Sequence, residues 1–229
     1  LENSILSGIN DLSLKIDFSY LLNPHINFRF GGNCIYHVFI PNNEHVIQSG
    51  TQIPYRNDNY SKQSQALENA IYLESEFKIH SFNANIGGRY SYYRTGGKNF
   101  YAIEPRLLIN YILREDLSVK YSFSKMNQYV HLLAYSGTGI PSDYWLPANK
   151  NAKPEKSVQN SLGFSKLFDD GNYELNIETY YKTMQNLITF IPGESLFGNL
   201  DSWENVIEKH GKGLNYGIEF FLQKIAGRT

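Results

Sequence analysis

The sequence predicts an all-β fold: an antiparallel transmembrane β-barrel segment of about nine long strands, with short periplasmic turns and long extracellular loops. Three observations predict it. Apolar and polar residues alternate over long stretches, and a period of two gives each strand one apolar and one polar face. Most stretches hold roughly 11 to 15 residues, longer than the usual globular strand of about 5–6 and enough to cross the hydrocarbon layer at a tilt. Tight and long connections follow one another in strict alternation, as they do where a barrel keeps its turns on one side of a membrane and its loops on the other.

The elements follow in order. The first strand, about 10–21, alternates Leu12, Leu14, Ile16, Phe18 and Tyr20 with Ser13, Lys15, Asp17 and Ser19. Leu22-Asn23-Pro24-His25 turns the chain into 25–39, which carries Gly31-Gly32 and the lone Cys34. A long connection over 40–66 leads to 67–79, then His80-Ser81 turns into 82–94, with Gly87-Gly88 inside it. Glycine within a strand marks a bulge or a close backbone approach. The segment 95–99 joins 100–113, and Arg114-Glu115-Asp116 turns into 116–126, where Leu117, Val119, Tyr121 and Phe123 alternate with Ser118, Lys120 and Ser122. A second long connection, 127–155, precedes 156–168. Asp169-Asp170-Gly171-Asn172 then turns into 172–184, with Tyr173, Leu175, Ile177 and Thr179 against Glu174, Asn176 and Glu178. A third, 185–212, leads to the last strand at 213–224. The short connections are built from Asn, Asp, Pro and Gly, residues whose sterics and side-chain hydrogen bonds supply turns.

Composition agrees. The chain holds 18 Tyr and 14 Phe but only 2 Trp, material for the aromatic girdles at the two interfaces. The net charge of −1 provides no field for nucleic acid, which is excluded as a partner. No run approaches the roughly 18 apolar residues of a spanning helix, but a barrel wall needs only every second residue to meet lipid. Cys34 has no partner for an intramolecular disulfide and reads as a small apolar strand residue. Residues Leu1 to Asn10 contain no secretory leader, and nine strands do not close the usual even-numbered barrel. The 229 residues are therefore expected to form a single partial barrel within a longer protein.

Several segments resemble the C-terminal barrel of TonB-dependent outer-membrane receptors. They are Gly87-Gly88-Arg89-Tyr90-Ser91-Tyr92-Tyr93 with Glu104-Pro105-Arg106, and Tyr121-Ser122-Phe123-Ser124-Lys125-Met126-Asn127-Gln128-Tyr129 with His131-Leu132-Leu133. Pro141-Ser142-Asp143-Tyr144-Trp145, Tyr180-Tyr181-Lys182-Thr183-Met184, and Gly211-Lys212-Gly213 leading to Tyr216-Gly217-Ile218-Glu219 follow in the same order. The likeness runs from about residue 66 to the end, and the first 65 residues match in pattern only. It implies a barrel of about 22 strands around an N-terminal plug domain. It also implies a place in the cell outer membrane, an extracellular nutrient ligand (an iron chelate, cobalamin or a glycan) and energy supplied by the inner-membrane TonB complex. Neither a plug nor the short motif ahead of it occurs in these residues.

The candidate sites are few. Asp17, Arg29, Glu74, Glu76, Arg89, Lys120, Glu174, Glu178 and Glu219 fall on the polar faces of their strands and are expected to line the lumen. Glu104-Pro105-Arg106 is expected to open a strand, where proline is tolerated; with Arg89, Glu104 and Arg106 face the lumen or a plug. The connection 127–155 is the candidate ligand-facing loop through Tyr129, His131, Tyr135, Tyr144 and Trp145, since aromatic rings offer stacking surface at low entropic cost. The competing reading is a loop packed against its neighbours. Tyr55, Arg56, Tyr60 and Trp203 have weaker claims. His25, His37, His45, His80, His131 and His210 form no metal-binding spacing, and no nucleophile elbow, phosphate loop or dinucleotide fingerprint occurs. No catalytic residue, metal or cofactor is assigned. The rivals are a binding or adhesion barrel without energised transport, a barrel enzyme, and a soluble β protein.

Overall fold

The structure, a computed structural model, describes residues 2–48, 55–60, 63–135, 142–194 and 203–225; within these, the side chains of 2–6, 41–48, 55–60, 135 and 142 lie outside the description. All nine expected strands are present. They are β1 (Glu2–Asn23), β2 (Ile26–Gln48), β4 (Ser64–Ile79), β5 (Phe82–Thr95), β6 (Lys98–Arg114), β7 (Leu117–Gln128), β10 (Glu155–Phe168), β11 (Tyr173–Phe190) and β12 (Ile207–Lys224). They pair antiparallel in the order β1-β2-β4-β5-β6-β7-β10-β11-β12, with β1 and β12 at the two edges.

The long connections hold structure of their own. In the first, β3 (Tyr55–Tyr60) pairs with the far end of β2. In the second, β8 (Val130–Tyr135) and β9 (Ser142–Pro147) form a separate hairpin. Among the described residues, the third contains a 3-10 turn, Trp203–Asn205. Strands are longer than the sequence indicates, and they lengthen mostly at the long-loop end, where neighbouring chain supplies ladder partners that side-chain alternation alone does not reveal.

The short turns lie where expected. The connection 95–99 is tighter than its companions: Gly96 and Gly97, at φ 51° and 76°, make a two-residue hairpin turn that needs both centres left-handed. At Gly31 a Cβ would stand 2.3 Å from the Ile16 carbonyl oxygen, and the register through it is unbroken. The glycine pair in β2 therefore marks a close backbone approach and not a bulge.

Register divides the sheet cleanly into two faces. Ile16, Gly32, Ile71, Tyr90 and Ile103 are aligned across β1, β2, β4, β5 and β6, while the neighbouring row is Asp17, Gly31, Tyr72, Arg89 and Glu104. The first row is the outer face. Its apolar members stay uncovered: Leu12 is 75% exposed, Ile71 65% and Ile103 67%. Each would forfeit roughly 1.5–3 kcal/mol if left in water, so rows of them along nine strands are costly wherever water is their solvent. A soluble β protein would hide these rows between layers, and no second layer covers them among the described residues.

Glu104-Pro105-Arg106 does not open a strand: it lies inside β6. Pairing of β6 with β7 begins only at Arg106, opposite Ser124. Ile112 donates its N–H to Ser81, on the β5 side, so alternation directs the odd positions of β6 toward β7. Pro105 thus lacks its N–H on the side where no strand pairs, which is why the sheet tolerates it. Above Arg106 the two strands part.

Candidate functional site: the polar inner face and its mouth

The inner face is a ladder of charge pairs set by the same register. Arg29 meets Glu74 at 3.1 Å and Arg89 meets Glu68 at 2.8 Å. Lys15 contacts Asp17 at 2.9 Å, and Asp17 also accepts a hydrogen bond from the Tyr72 hydroxyl at 2.6 Å. Arg106, with Lys15, Arg29, Tyr72, Glu74 and Arg89, lines a cavity of about 300 Å³, and it has no ion-pair partner among the described residues. Directly opposed or adjacent opposite charges stabilise a sheet face modestly each, but in a wall of this kind they also keep its interior wet. The other expected lumen residues, Glu76, Lys120, Glu174, Glu178 and Glu219, fall on this face by register.

Toward the long-loop end the face turns from polar to packed. Tyr93 is fully buried and stacks on Tyr129, with ring centroids 4.7 Å apart and planes 7° apart. The Tyr129 hydroxyl and Ser91 Oγ lie 2.7 Å apart, and Ser91 donates to Glu104 at 2.9 Å. Phe39, Ala66 and Ala148 complete this cluster. Tyr129 follows the end of β7, beyond the wall, and burial pushes its phenol above the ordinary range.

The β8–β9 hairpin reaches across this face. It touches β1, β2 and β4 through β9, and β11 through β8. Leu133, Tyr144, Leu146 and Ala152 form a dry cluster with Trp203, Val206 and Ile207. Polar bonds hold the lid in register. Asn149 and Asn151 donate to the two carboxylate oxygens of Glu204, and Asn149 Oδ1 accepts from the N–H groups of Asn151 and Ala152. His131 is wholly buried with Nδ1 3.0 Å from Glu155, while its Nε2 has no hydrogen-bond partner among the described residues. Beneath the hairpin lies a cavity of about 430 Å³ lined by Glu68, Met126, Tyr129, Glu155, Lys182 and Met184.

The structure therefore brings most of the loop candidates together, but in different roles. Tyr129, His131 and Tyr144 are interior; Trp145, 36% exposed, presents its side chain outward, and the Tyr135 side chain lies outside the described residues. Among the lumen candidates, Arg89 and Glu104 are already bonded and Arg106 is not ion-paired. Trp203 packs under the lid, while the side chains of Tyr55, Arg56 and Tyr60 lie outside the described residues. Sequence reasoning did not find Glu68, His37 or Glu155. His37 Nδ1 lies 2.7 Å from Asp11 and its Nε2 lies 3.8 Å from Glu68, contacts between strands that no local spacing signals. No group of three or more His, Cys, Asp or Glu among the described residues is placed to hold a metal ion.

An open run of long antiparallel strands, apolar outside, charge-laddered inside and crossed by a folded loop, defines a membrane-barrel wall with an occupied mouth. The chain belongs to the TonB-dependent receptor-like β-barrel family, whose model matches residues 3–227. Among solved structures it resembles the FrpB iron transporter from Neisseria meningitidis, with a TM-score of 0.62 and 13% identity over 96% of this chain and 33% of that one. It also resembles the siderophore receptor PirA from Acinetobacter baumannii, with a TM-score of 0.56 and 18% identity over 96% and 34%. The RagAB peptide transporter gives a TM-score of 0.60 at 10% identity over 99% and 28%. At such identities the likeness is one of fold, and the chain spans about a third of the length of these proteins. No curated protein matches it.

Proposed function

We propose that these residues form part of the wall and mouth of an outer-membrane receptor that captures a scarce extracellular solute and imports it with energy from the TonB complex. The observation that carries this reading is the two-faced wall itself, an uncovered apolar exterior backed by a charge-laddered interior. In this reading Trp145 and the cavity beneath the hairpin contact the solute. Tyr129, His131 and Tyr144 hold the hairpin that presents them. Arg89, Glu104 and Arg106 face a plug domain, with Arg106 free to pair with an acidic plug residue. The named relatives carry iron, siderophores and peptides, so the cargo is framed as a small scarce chelate or oligomer. No residue is assigned to catalysis.

The test uses cells carrying the full gene under iron limitation, scored for binding and uptake of radiolabelled ferric siderophores, with labelled oligopeptides as a second panel. Energised import requires that a protonophore abolish uptake while surface binding persists, and that Trp145→Ala weaken binding about tenfold or more, as loss of an aromatic anchor does. Uptake indifferent to the protonophore would turn the reading to a barrel that binds without energised transport.

A further inference from the structure

His37 is a buried titratable group that the wall satisfies at one end of its ring. It is 3% exposed and faces inward from β2, directly opposite Asp11 on β1 and Ala66 on β4. Its Nδ1 lies 2.7 Å from Asp11 Oδ1. Ala66 is small, so the ring can lean past it toward Glu68, the next inward residue of β4. There Nε2 stands 3.8 Å from Glu68 Oε2, outside hydrogen-bond reach, and it is buried without a hydrogen-bond partner among the described residues. The other Glu68 oxygen accepts from Arg89 at 2.8 Å. A neutral imidazole that donates from Nδ1 turns the lone pair of Nε2 toward a carboxylate, which leaves two acceptors facing each other with no proton between them. A proton on Nε2 converts the same geometry into a charge-assisted hydrogen bond.

The ring lies where the hairpin is seated. Its centroid is 5.7 Å from that of Phe39 and 6.4 Å from that of Tyr93. Those two rings form one cluster with Tyr129 and Ala148, the residues at the two feet of the hairpin, where the Ala148 N–H donates to the Tyr129 carbonyl at 2.8 Å. The charges around this seat favour a cation. Asp11 comes from β1, Glu68 from β4 and Glu104 from β6, the last bonded to the Ser91 hydroxyl that touches Tyr129. Against these three carboxylates stands one guanidinium, Arg89 of β5. Tyr93 and Tyr129 add phenols, and β9, which also packs on β2, buries Tyr144 and keeps Asp143 on its exposed side. Glu68 further lines the cavity of about 430 Å³ beneath the hairpin, so one carboxylate is common to the histidine and to the cavity.

We infer that His37 is a proton-operated clasp on the mouth. Protonated, it bridges Asp11 and Glu68, ties β1 to β4 across β2, and draws the Glu68 carboxylate out of the cavity. Neutral, it lacks that bridge: the seat of the hairpin loosens, and Glu68 Oε2 is left to an ammonium or guanidinium group that enters the cavity. Histidine suits the task because its charge changes between about pH 5 and 8, and the hairpin seated on it is the element that the proton biases. The mouth is thus held more firmly in mild acid than near neutrality. The consequence for a solute rests on the reading that the cavity receives it; the clasp itself does not.

The experiment takes the full gene product in neutral detergent with no solute added. Hydrogen exchange is followed over residues 8–12 and 130–147 at about pH 5.5 and about pH 8, with rates corrected for the intrinsic pH dependence of amide exchange. Protection of both segments should be about tenfold greater at the lower pH, the worth of one hydrogen bond to a charged group. In His37→Gln, whose amide can still donate to Asp11 but takes up no proton, that difference should vanish. In Glu68→Gln, which keeps the histidine and removes its second carboxylate, it should fall to about threefold or less. His131 and Glu155 are present in the parent and in both variants, so their contribution cancels in the comparison. Heat-modifiable gel mobility verifies folding, and either variant that folds decides the matter against the parent. Equal protection at the two pH values in the parent, or a difference undiminished in a folded variant, would overturn the clasp. The readout involves no uptake, so its failure is distinct from a failure of the protonophore test.

Discussion

The wall and the mouth use the same apolar residue types in opposite surroundings. Ile16, Ile71 and Ile103 on the outer face are half exposed or more, whereas Leu146 in the mouth has no exposed surface and Leu133 almost none. Both buried apolar clusters draw on the segment from Tyr129 to Ala152, so the dry interior of the described structure forms where that segment packs onto the sheet. The difference teaches that hydrophobicity here serves two solvents. Acyl chains would conform to such a wall, whereas the mouth must fill its own volume at the density of a protein interior.

The contrast predicts an ordered series of effects in the folded full-length protein. Leu146→Ala should cost about 2–5 kcal/mol of local stability, because a cavity remains where nothing can flow in; hydrogen exchange over residues 130–147 reads it. Ile71→Ala, at which lipid refills the space, should cost far less in the same measurement, and equal costs would break the comparison. A charge reverses the ranking. Ile16→Lys should destabilise the wall by about 2–4 kcal/mol near mid-membrane depth, as urea unfolding from lipid vesicles would register.

Within the mouth, Glu155→Ala leaves the buried His131 ring without its carboxylate and should cost about 1–3 kcal/mol. Faster proteolytic nicking of the hairpin is the expected sign, with the wall strands still protected. The smallest effect lies at the opposite end. Asp116, in a tight turn, is bonded to Lys166, and that hydrogen bond holds its carboxyl below the usual range. A lowered folded value contributes stability that is present above the unfolded carboxyl's value near 4, and that disappears as pH falls through the folded one. Asp116→Asn should therefore be slightly less stable than the parent at neutral pH and equal to it in strong acid. A gap that persisted in acid would assign the effect to packing.

Much of this was legible in the chain. Leu12 to Tyr20 and Leu117 to Phe123 alternate without a break, and every strand read from such a pattern is present because the pleat forces alternate side chains to opposite faces. The β8–β9 hairpin was not legible: Val130 to Ala134 contains no apolar–polar alternation, because the buried side carries His131 and the exposed side carries Leu132. Pro105 misled for a related reason. Proline suggests a strand's start by its missing donor, and only the parting of β6 from β7 shows that a mid-strand position has no acceptor to serve. The contacts of His131 and His37 were equally hidden, because their partners lie across strands and loops.

By itself, the sequence determined the strands, their two faces and the alternation of tight and long connections, since each follows from local sterics and a period of two. Tertiary structure alone decided which loop aromatics are scaffold and which are surface, and which inner charges are already paired. Burial depends on what a distant segment places alongside, and no residue's immediate neighbours encode that.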